Sequence, residues 1–543
     1  MRTPDRLLIA VLAVLVTACH DPLSVENLNN PDRERVLANP TDLEALIAGS
    51  SRSLHAATIA GQLSYGVRTS SFEVAVSSAD YGQGVRLGIP RVPIDNSRGN
   101  AIATPNYSDY NGTQRAARTA ADGLNRLLVG RVSAGSAAQD ARNAAFAWFV
   151  LGAAMGSTAL MYDSAAIVDP RADLADVPGL AGYNEVMAAA LAALDSAIAW
   201  AGISPTPAGA NGFPIPSTWI NGISNLDGGV GGNFVRLLRS WKALLRANVA
   251  RTPAEAPSVN WAAVRDDAAA GITADVNVTT ASSPAWGNNA RTGGDTFDQA
   301  YQFIIGMADS SGAYDAWLQT PTDTKAPFLI QTADRRFPRG ADRATQQANA
   351  PALPPAGLYY HIRVSAIPAD AWSTSWYQWY RRIAWTTVQN GLGPWPVLTK
   401  AQNDLLRAEA LIRLGDVAGA AQIVDVWRTA AGLPALTGVV TALGQPVPGG
   451  RACVPRIPQP PSFTTTACGD LWEAMKWEFR METQFAGYVP WYLAGRRWGD
   501  LPEGTAVHWP VPFQEMDARR HPFYNLGGVG KPGGTVGKGT YGL

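Results

Sequence analysis

Residues 404–416 read Asp404-Leu405-Leu406-Arg407-Ala408-Glu409-Ala410-Leu411-Ile412-Arg413-Leu414-Gly415-Asp416, and Val417-Ala418-Gly419-Ala420-Ala421-Gln422-Ile423-Val424 follows at once. In the first stretch apolar side chains recur at three- and four-residue intervals, the spacing that gathers them on one side of an α-helix. Gly415 stops that helix and Val417 opens a second. Ala408 and Ala420 stand twelve residues apart, with the larger Val424 beyond them. Small residues at such points let two helices approach closely.

This is the logic of a tetratricopeptide-like helix pair. Residues 237–272 repeat it with a longer turn, from Arg251 to Asn260, and 141–148 with 183–200 form a third, looser pair. The same periodicity predicts helices over 114–128, 141–162, 183–200, 234–249, 261–272, 401–414 and 417–431. Thr41-Asp42-Leu43-Glu44 has the form of a capping box ahead of an amphipathic run to Leu54. The expected fold is therefore mainly α, a scaffold of helix pairs at about 41–272 and 397–432. An irregular, ligand-binding part at about 273–396 and a C-terminal segment at 468–527 complete a single domain over 41–543. Long connections at 203–232, 274–297, 319–358 and 433–467 thread the helices. Loops of that length are commonly functional or disordered, and their aromatic content favours order.

Composition narrows the function. The 543 residues carry 44 Lys+Arg against 44 Asp+Glu, with no long basic run, which argues against a nucleic-acid partner. Charged residues make up only 16%, below the roughly 25% of ordinary soluble domains. An apolar share of 46% is enough for a sizeable core. Tryptophan, at 18 copies, outnumbers both Tyr and Phe, and that surplus needs a use.

Arg2 and Arg6 precede an apolar run from Leu7 to Val16, the form of a secretory signal over residues 1–18 and too short to span a bilayer. Val16-Thr17-Ala18-Cys19 resembles a bacterial lipobox, in which Cys19 is acylated by palmitate-type chains and leads a polar tether over 19–40. No later stretch reaches 18 consecutive apolar residues. Lipid is then the expected membrane attachment. Cys453 and Cys468 flank a Pro-rich loop in a compartment that permits disulfides, so they are candidates for a bridge. The five His residues (20, 55, 361, 508, 521) are scattered singly and no CxxC occurs. Neither a metal site nor any other cofactor is expected.

No nucleophile elbow, HExxH, EF-hand loop or P-loop is present, so no catalytic residue is assigned. Glu473, Glu478, Glu482 and Asp500 are candidates for a glycosidase pair of carboxylates. Carboxylates on amphipathic helices, however, normally occupy solvated faces or caps. The expectation is a protein that is not an enzyme.

The aromatics are more informative. Trp372, Trp376, Tyr377, Trp379, Tyr380 and Trp385 crowd into fourteen residues. Trp372, Trp376 and Trp379 follow i, i+4, i+7, one face if the segment is helical. Such a face serves either as a core stripe or as a platform on which sugar rings stack. Trp286, Tyr314 and Trp317, in or near other long loops, are candidates to extend the platform.

The chain resembles the SusD/RagB family. The resemblance is carried by Leu405-Leu406-Arg407-Ala408-Glu409-Ala410 ending at Gly415, and by Arg428-Thr429-Ala430-Ala431-Gly432-Leu433. It continues in Trp477-Glu478-Phe479-Arg480-Met481-Glu482 and in Arg496-Arg497-Trp498-Gly499-Asp500-Leu501. Trp509-Pro510-Val511-Pro512-Phe513-Gln514-Glu515 with Asn525-Leu526-Gly527 closes the series. The resemblance implies a non-enzymatic outer-membrane lipoprotein facing the cell exterior. It implies a SusC-like TonB-dependent transporter as partner, met by the helix-pair face, with loops opposite holding an oligosaccharide. RagB-like members imply a peptide ligand instead, and a lipid-anchored glycosidase is the third reading. The Trp surplus speaks for carbohydrate.

Overall fold

Apolar residues surround the helix Ala137–Met161 on every side, and in the computed structural model every residue from Ala141 to Met161 is buried. A helix that is apolar all round has to be enclosed. Thr104–Leu128 and Tyr183–Ile203 cover most of it, and Pro40–Ala57 and Asn233–Asn248 complete the cover. By length and composition this helix and Tyr183–Gly202 are both apolar enough to cross a membrane; the first is wholly enclosed by protein. The structure describes residues 39–74, 91–100, 103–173, 176–203, 213–220, 232–280, 299–362, 375–531 and 535–543.

The helix pairs form as the periodicity predicts. Lys400–Arg413 packs on Val417–Ala430, and Ala408, Ala420 and Val424 are completely buried between and beside them. Gly415 takes φ +85°, a left-handed conformation that only Gly adopts without strain, and this turns the chain back sharply. Asp416 then caps the second helix by accepting the Gly419 N–H at 2.8 Å. Asn233–Asn248 packs on Trp261–Ala269, which in turn packs against Lys400–Arg413.

Three helix starts differ from expectation, that of Ala137–Met161 by lying four residues before the predicted 141. The first helix runs Pro40–Ala57, and its cap is Asn39, whose Oδ1 accepts the Thr41 N–H at 3.0 Å. Pro40 fits the first turn because it has no N–H to satisfy, so Thr41-Glu44 lies inside the helix and not at its cap. Thr104–Leu128 begins ten residues before the predicted 114. Its early turns carry Asn106, Asp109 and Thr113, which break the apolar pattern yet are buried. Tertiary hydrogen bonds make that tolerable: Asn106 Nδ2 donates to the Pro510 carbonyl at 3.1 Å.

Strands are short, in four two-stranded antiparallel pairs among the described residues. Val276–Thr280 pairs with Gly393–Leu398, and Tyr360–Ile362 with Tyr377–Trp379. The second pair shows that the helical condition on the 372/376/379 spacing is not met over 377–379. Tyr377, Gln378 and Trp379 lie in an extended strand buried on both faces, where aromatic residues pack well. A large core fills the helical scaffold, and a second, aromatic core (Phe303, Tyr314, Tyr360, Tyr377, Trp379, Trp477) lies under the irregular part. The helix Leu471–Thr483 serves both, presenting Met475 and Phe479 to the first and Trp477 and Met481 to the second.

Cys453 and Cys468 are disulfide-bonded, with Cα atoms 5.7 Å apart, beside the strand pair Arg456–Pro458 and Thr466–Cys468. The two are 15 residues apart in sequence. Closing a loop of that size removes about 3 kcal/mol of unfolded-state entropy in the chain-entropy model. Replacing both Cys with Ser is expected to lower the unfolding free energy by about that much. Urea unfolding of both proteins, with and without reductant, measures it; reductant should shift only the native protein.

Candidate functional site

The site is built around a short helix that its own sequence positions. Asp309 collects the chain before Ala313–Gln319: its carboxylate accepts the N–H of Gly312 at 3.1 Å, of Tyr314 at 3.2 Å and of Gln331 at 3.0 Å. This ties the helix start to the segment that returns past it. Tyr314 points inward and donates to the Phe303 carbonyl at 2.7 Å. Gly306 lies so close beneath it that a Cβ would sit 2.6 Å from the Tyr314 ring, so only Gly fits there. One turn on, Trp317 packs on Tyr314 and Phe303, with ring centroids 6.1 and 6.3 Å away.

Trp317 lines a cavity of about 310 Å³. Phe72 and Tyr301, stacked at 3.8 Å, and Phe463 from the 433–467 connection supply its other aromatic walls. Ser462, Thr464 and Thr322 bring hydroxyls to it, and Arg91 and Lys325 bring charge. The Lys325 ammonium lies 4.0 Å from the Trp317 ring centroid, within cation–π range. Burial holds the Lys325 pKa below the ordinary lysine value. Arg91 is paired with Glu503 at 3.3 Å. The floor is Tyr541, whose hydroxyl donates to Glu473 at 2.7 Å and accepts from Arg480 at 3.2 Å. The arrangement offers flat apolar faces beside hydroxyl and cationic groups. It is suited to binding a polyhydroxylated ring.

Of the aromatics singled out in the sequence, Trp317 is the one among the described residues that reaches this cavity. Tyr314 is 1% exposed beneath it and Trp379 is 2% exposed against Phe485, so both belong to the second core and offer no face to a ligand. Trp376 is half-buried at a distance, with the Arg343 guanidinium 5.2 Å from its ring. Trp286 and Trp372, like the lipidation candidate Cys19, lie outside the described residues. Phe72, Tyr301 and Phe463 escaped notice because they are single aromatics far apart in sequence. The length of the 433–467 connection was the one signal pointing to Phe463.

The four carboxylates weighed as a glycosidase pair are ion-paired inside the protein and do not flank a cleft. Glu478 and Glu482 meet Arg336 at 2.8 and 3.4 Å, and Arg336 also grips Asp334 at 2.7 Å. Burial pushes the Glu478 pKa up to about 7 against the pull of Arg336 and Arg428. Asp500 accepts from Lys476 at 3.0 Å and also pairs with Arg480, and Lys476 reaches Glu473 at 2.9 Å. Burial alone would raise the Asp500 pKa; the two cations outweigh it and hold the carboxyl below its usual range. This corrects the expectation of solvated faces, because Leu471–Thr483 is covered on both sides. Arg496 is structural too. It donates to the carbonyls of Leu160 and Asn248 at 2.8 and 2.7 Å, satisfying the last turns of two scaffold helices. Among the described residues no group of three or more His, Cys, Asp or Glu is placed to hold a metal ion.

Fold and site together define a mainly α, helix-pair protein with an aromatic cavity built by its irregular insertions. No protein-family model matches the sequence, and neither does any curated protein. Its structural neighbours are SusD superfamily proteins. A SusD homolog from Bacteroides thetaiotaomicron VPI-5482 aligns with a TM-score of 0.55 at 13% identity, over 92% of this chain and 99% of that one. A second SusD superfamily protein from the same organism gives 0.54 at 14%, over 89% and 97%. A SusD-like protein from Bacteroides fragilis NCTC 9343 gives 0.52 at 14%, over 91% and 98%. At such identities the likeness is one of fold. The chain has a SusD-like fold.

Proposed function

We propose that this protein captures oligosaccharides at the cell surface and passes them to a TonB-dependent, SusC-like transporter without cleaving them. The observation that carries this reading is the Trp317 cavity, set in a SusD-like fold. Sugar rings present C–H faces that stack on indole and phenyl rings, and their hydroxyls suit Ser462, Thr464 and Thr322. Stacking with a few hydrogen bonds gives modest affinity, as a donor that must release its cargo requires. In this reading residues 41–543 act as one domain, and acylated Cys19 holds it to the outer membrane with residues 19–40 as tether.

Tryptophan fluorescence titration of the lipid-free chain, residues 20–543, against plant and microbial oligosaccharides and tryptic peptides is the test. One glycan class is expected to bind saturably, with no shorter sugars after overnight incubation. Phe463→Ala, at a half-buried position, is expected to weaken binding by about tenfold or more while leaving the urea midpoint in place. Glycan binding that survives this change would put the site elsewhere. A response to peptides alone would replace the glycan reading.

A further inference from the structure

A second cavity, of about 250 Å³, has different chemistry. Asp275, Arg381, Arg382, Lys400, Trp427 and Glu482 line it, beside the start of the Lys400–Arg413 helix. Most of its acceptors are already engaged. Glu482 is bridged to Arg381 at 2.9 Å and accepts the Tyr359 hydroxyl at 2.9 Å. One oxygen of Asp275 accepts the Lys400 backbone N–H at 2.9 Å. Lys400 Nζ is paired with Asp404.

Its donors are not all engaged. The Arg382 guanidinium makes no hydrogen bond to any described residue; it lies 5.8 Å from the Trp395 ring centroid, and its nearest carboxylate oxygen, on Asp275, is 3.8 Å away. Its side chain is 24% exposed. Burial, with Arg381 alongside, pushes its pKa down to about 10, so it remains charged at neutral pH. The Trp427 Nε1–H is buried and also lacks a partner among the described residues. Arg381 and Lys400 each have a close carboxylate partner, and Arg382 does not; its open guanidinium fork, the unused indole N–H and the flat ring beside them suit an anion carried on a ring.

We propose that this cavity binds a uronic acid residue of an acidic oligosaccharide, with Arg382 gripping the carboxylate and Trp427 facing the sugar ring. A planar guanidinium takes a carboxylate through two parallel hydrogen bonds, which a neutral sugar cannot offer. The proposal deepens the glycan reading and rests on it.

Calorimetric titration of the lipid-free chain with digalacturonic acid, its uncharged methyl ester, N-acetylglycine and sodium acetate tests it. The diacid is expected to bind saturably and at least about tenfold more tightly than the other three. Raising NaCl from about 50 to 500 mM should weaken that binding. Arg382→Gln should weaken it about tenfold or more. Trp427→Phe, which keeps an aromatic face and removes the N–H, should weaken it by a smaller factor and covers the case in which Arg382→Gln misfolds. Equal binding of the ester, of acetate or of N-acetylglycine would overturn the assignment, as would variants that bind like the native protein. Failure of the diacid with Phe463-dependent binding of neutral glycans intact would sink this proposal alone. Failure of every glycan would sink both.

Discussion

Replacing Arg336 with Met is expected to lower the unfolding free energy by roughly 3–5 kcal/mol, the range for breaking one partner out of a buried ion pair. Arg336 is 1% exposed and is the hub for Asp334, Glu478 and Glu482, which are themselves buried. Without it Glu482 keeps Arg381 and Asp334 keeps the Trp477 indole N–H. Glu478 keeps only Arg428, 3.8 Å away, and one of its oxygens already lacks a hydrogen bond. Its carboxyl is then expected to take up a proton. Arg336→Lys should recover only part of the loss, because a point charge cannot serve three carboxylates as the guanidinium does. Urea unfolding followed by circular dichroism measures both variants. A loss below about 1 kcal/mol, the value of a surface pair, would show that the hub does not stabilise the second core.

A loss of similar size is expected for Arg497→Met, but there a second substitution should repair most of it. Arg497 holds Glu409 through two hydrogen bonds and also pairs with Asn248, all inside the scaffold. Burial alone would raise the Glu409 pKa, yet Arg497 and Arg413 together hold it below the usual value. A carboxyl depressed in the folded state stabilises the protein above its unfolded pKa of about 4.3. That contribution is lost as pH falls through the lower, folded pKa. Removing Arg497 leaves Glu409 with Arg413 alone, at 3.0 Å. Adding Glu409→Leu removes the stranded charge, and apolar replacements of a whole buried pair are often neutral or stabilising. The double variant is therefore expected to unfold near the native urea midpoint and to lose part of the native acid sensitivity. A double variant as unstable as the single one would mean that Arg497 acts through packing and not through Glu409.

Neither arginine is recognisable in the sequence as an interior hub. Arg496-Arg497-Trp498-Gly499-Asp500 is conspicuous as a motif of the family resemblance, but a motif does not tell binding from architecture. Here Arg496 closes two helix ends and Arg497 fills a buried pair. The same holds for Leu471–Thr483. Its charges every two residues, Lys476, Glu478, Arg480 and Glu482, suggest solvent, and only the second aromatic core on its far side shows that there is none. The cavity was legible at one residue, Trp317, since single aromatics scattered from Phe72 to Phe463 carry no joint signal.

The sequence by itself determined the helix pairs, the turn at Gly415, the close approach at Ala408 and Ala420, and a bridgeable pair of cysteines. Those features rest on local periodicity, backbone conformation and short-range spacing, which a linear reading contains. Tertiary structure alone decided that Tyr377–Trp379 is a strand, that Tyr314 and Trp379 face inward, and that Phe72, Tyr301, Trp317 and Phe463 share one wall. It also decided which buried charges find partners. An aromatic or charged side chain is stable either in water or in a matched interior. Which of the two it meets depends on residues far away in the chain.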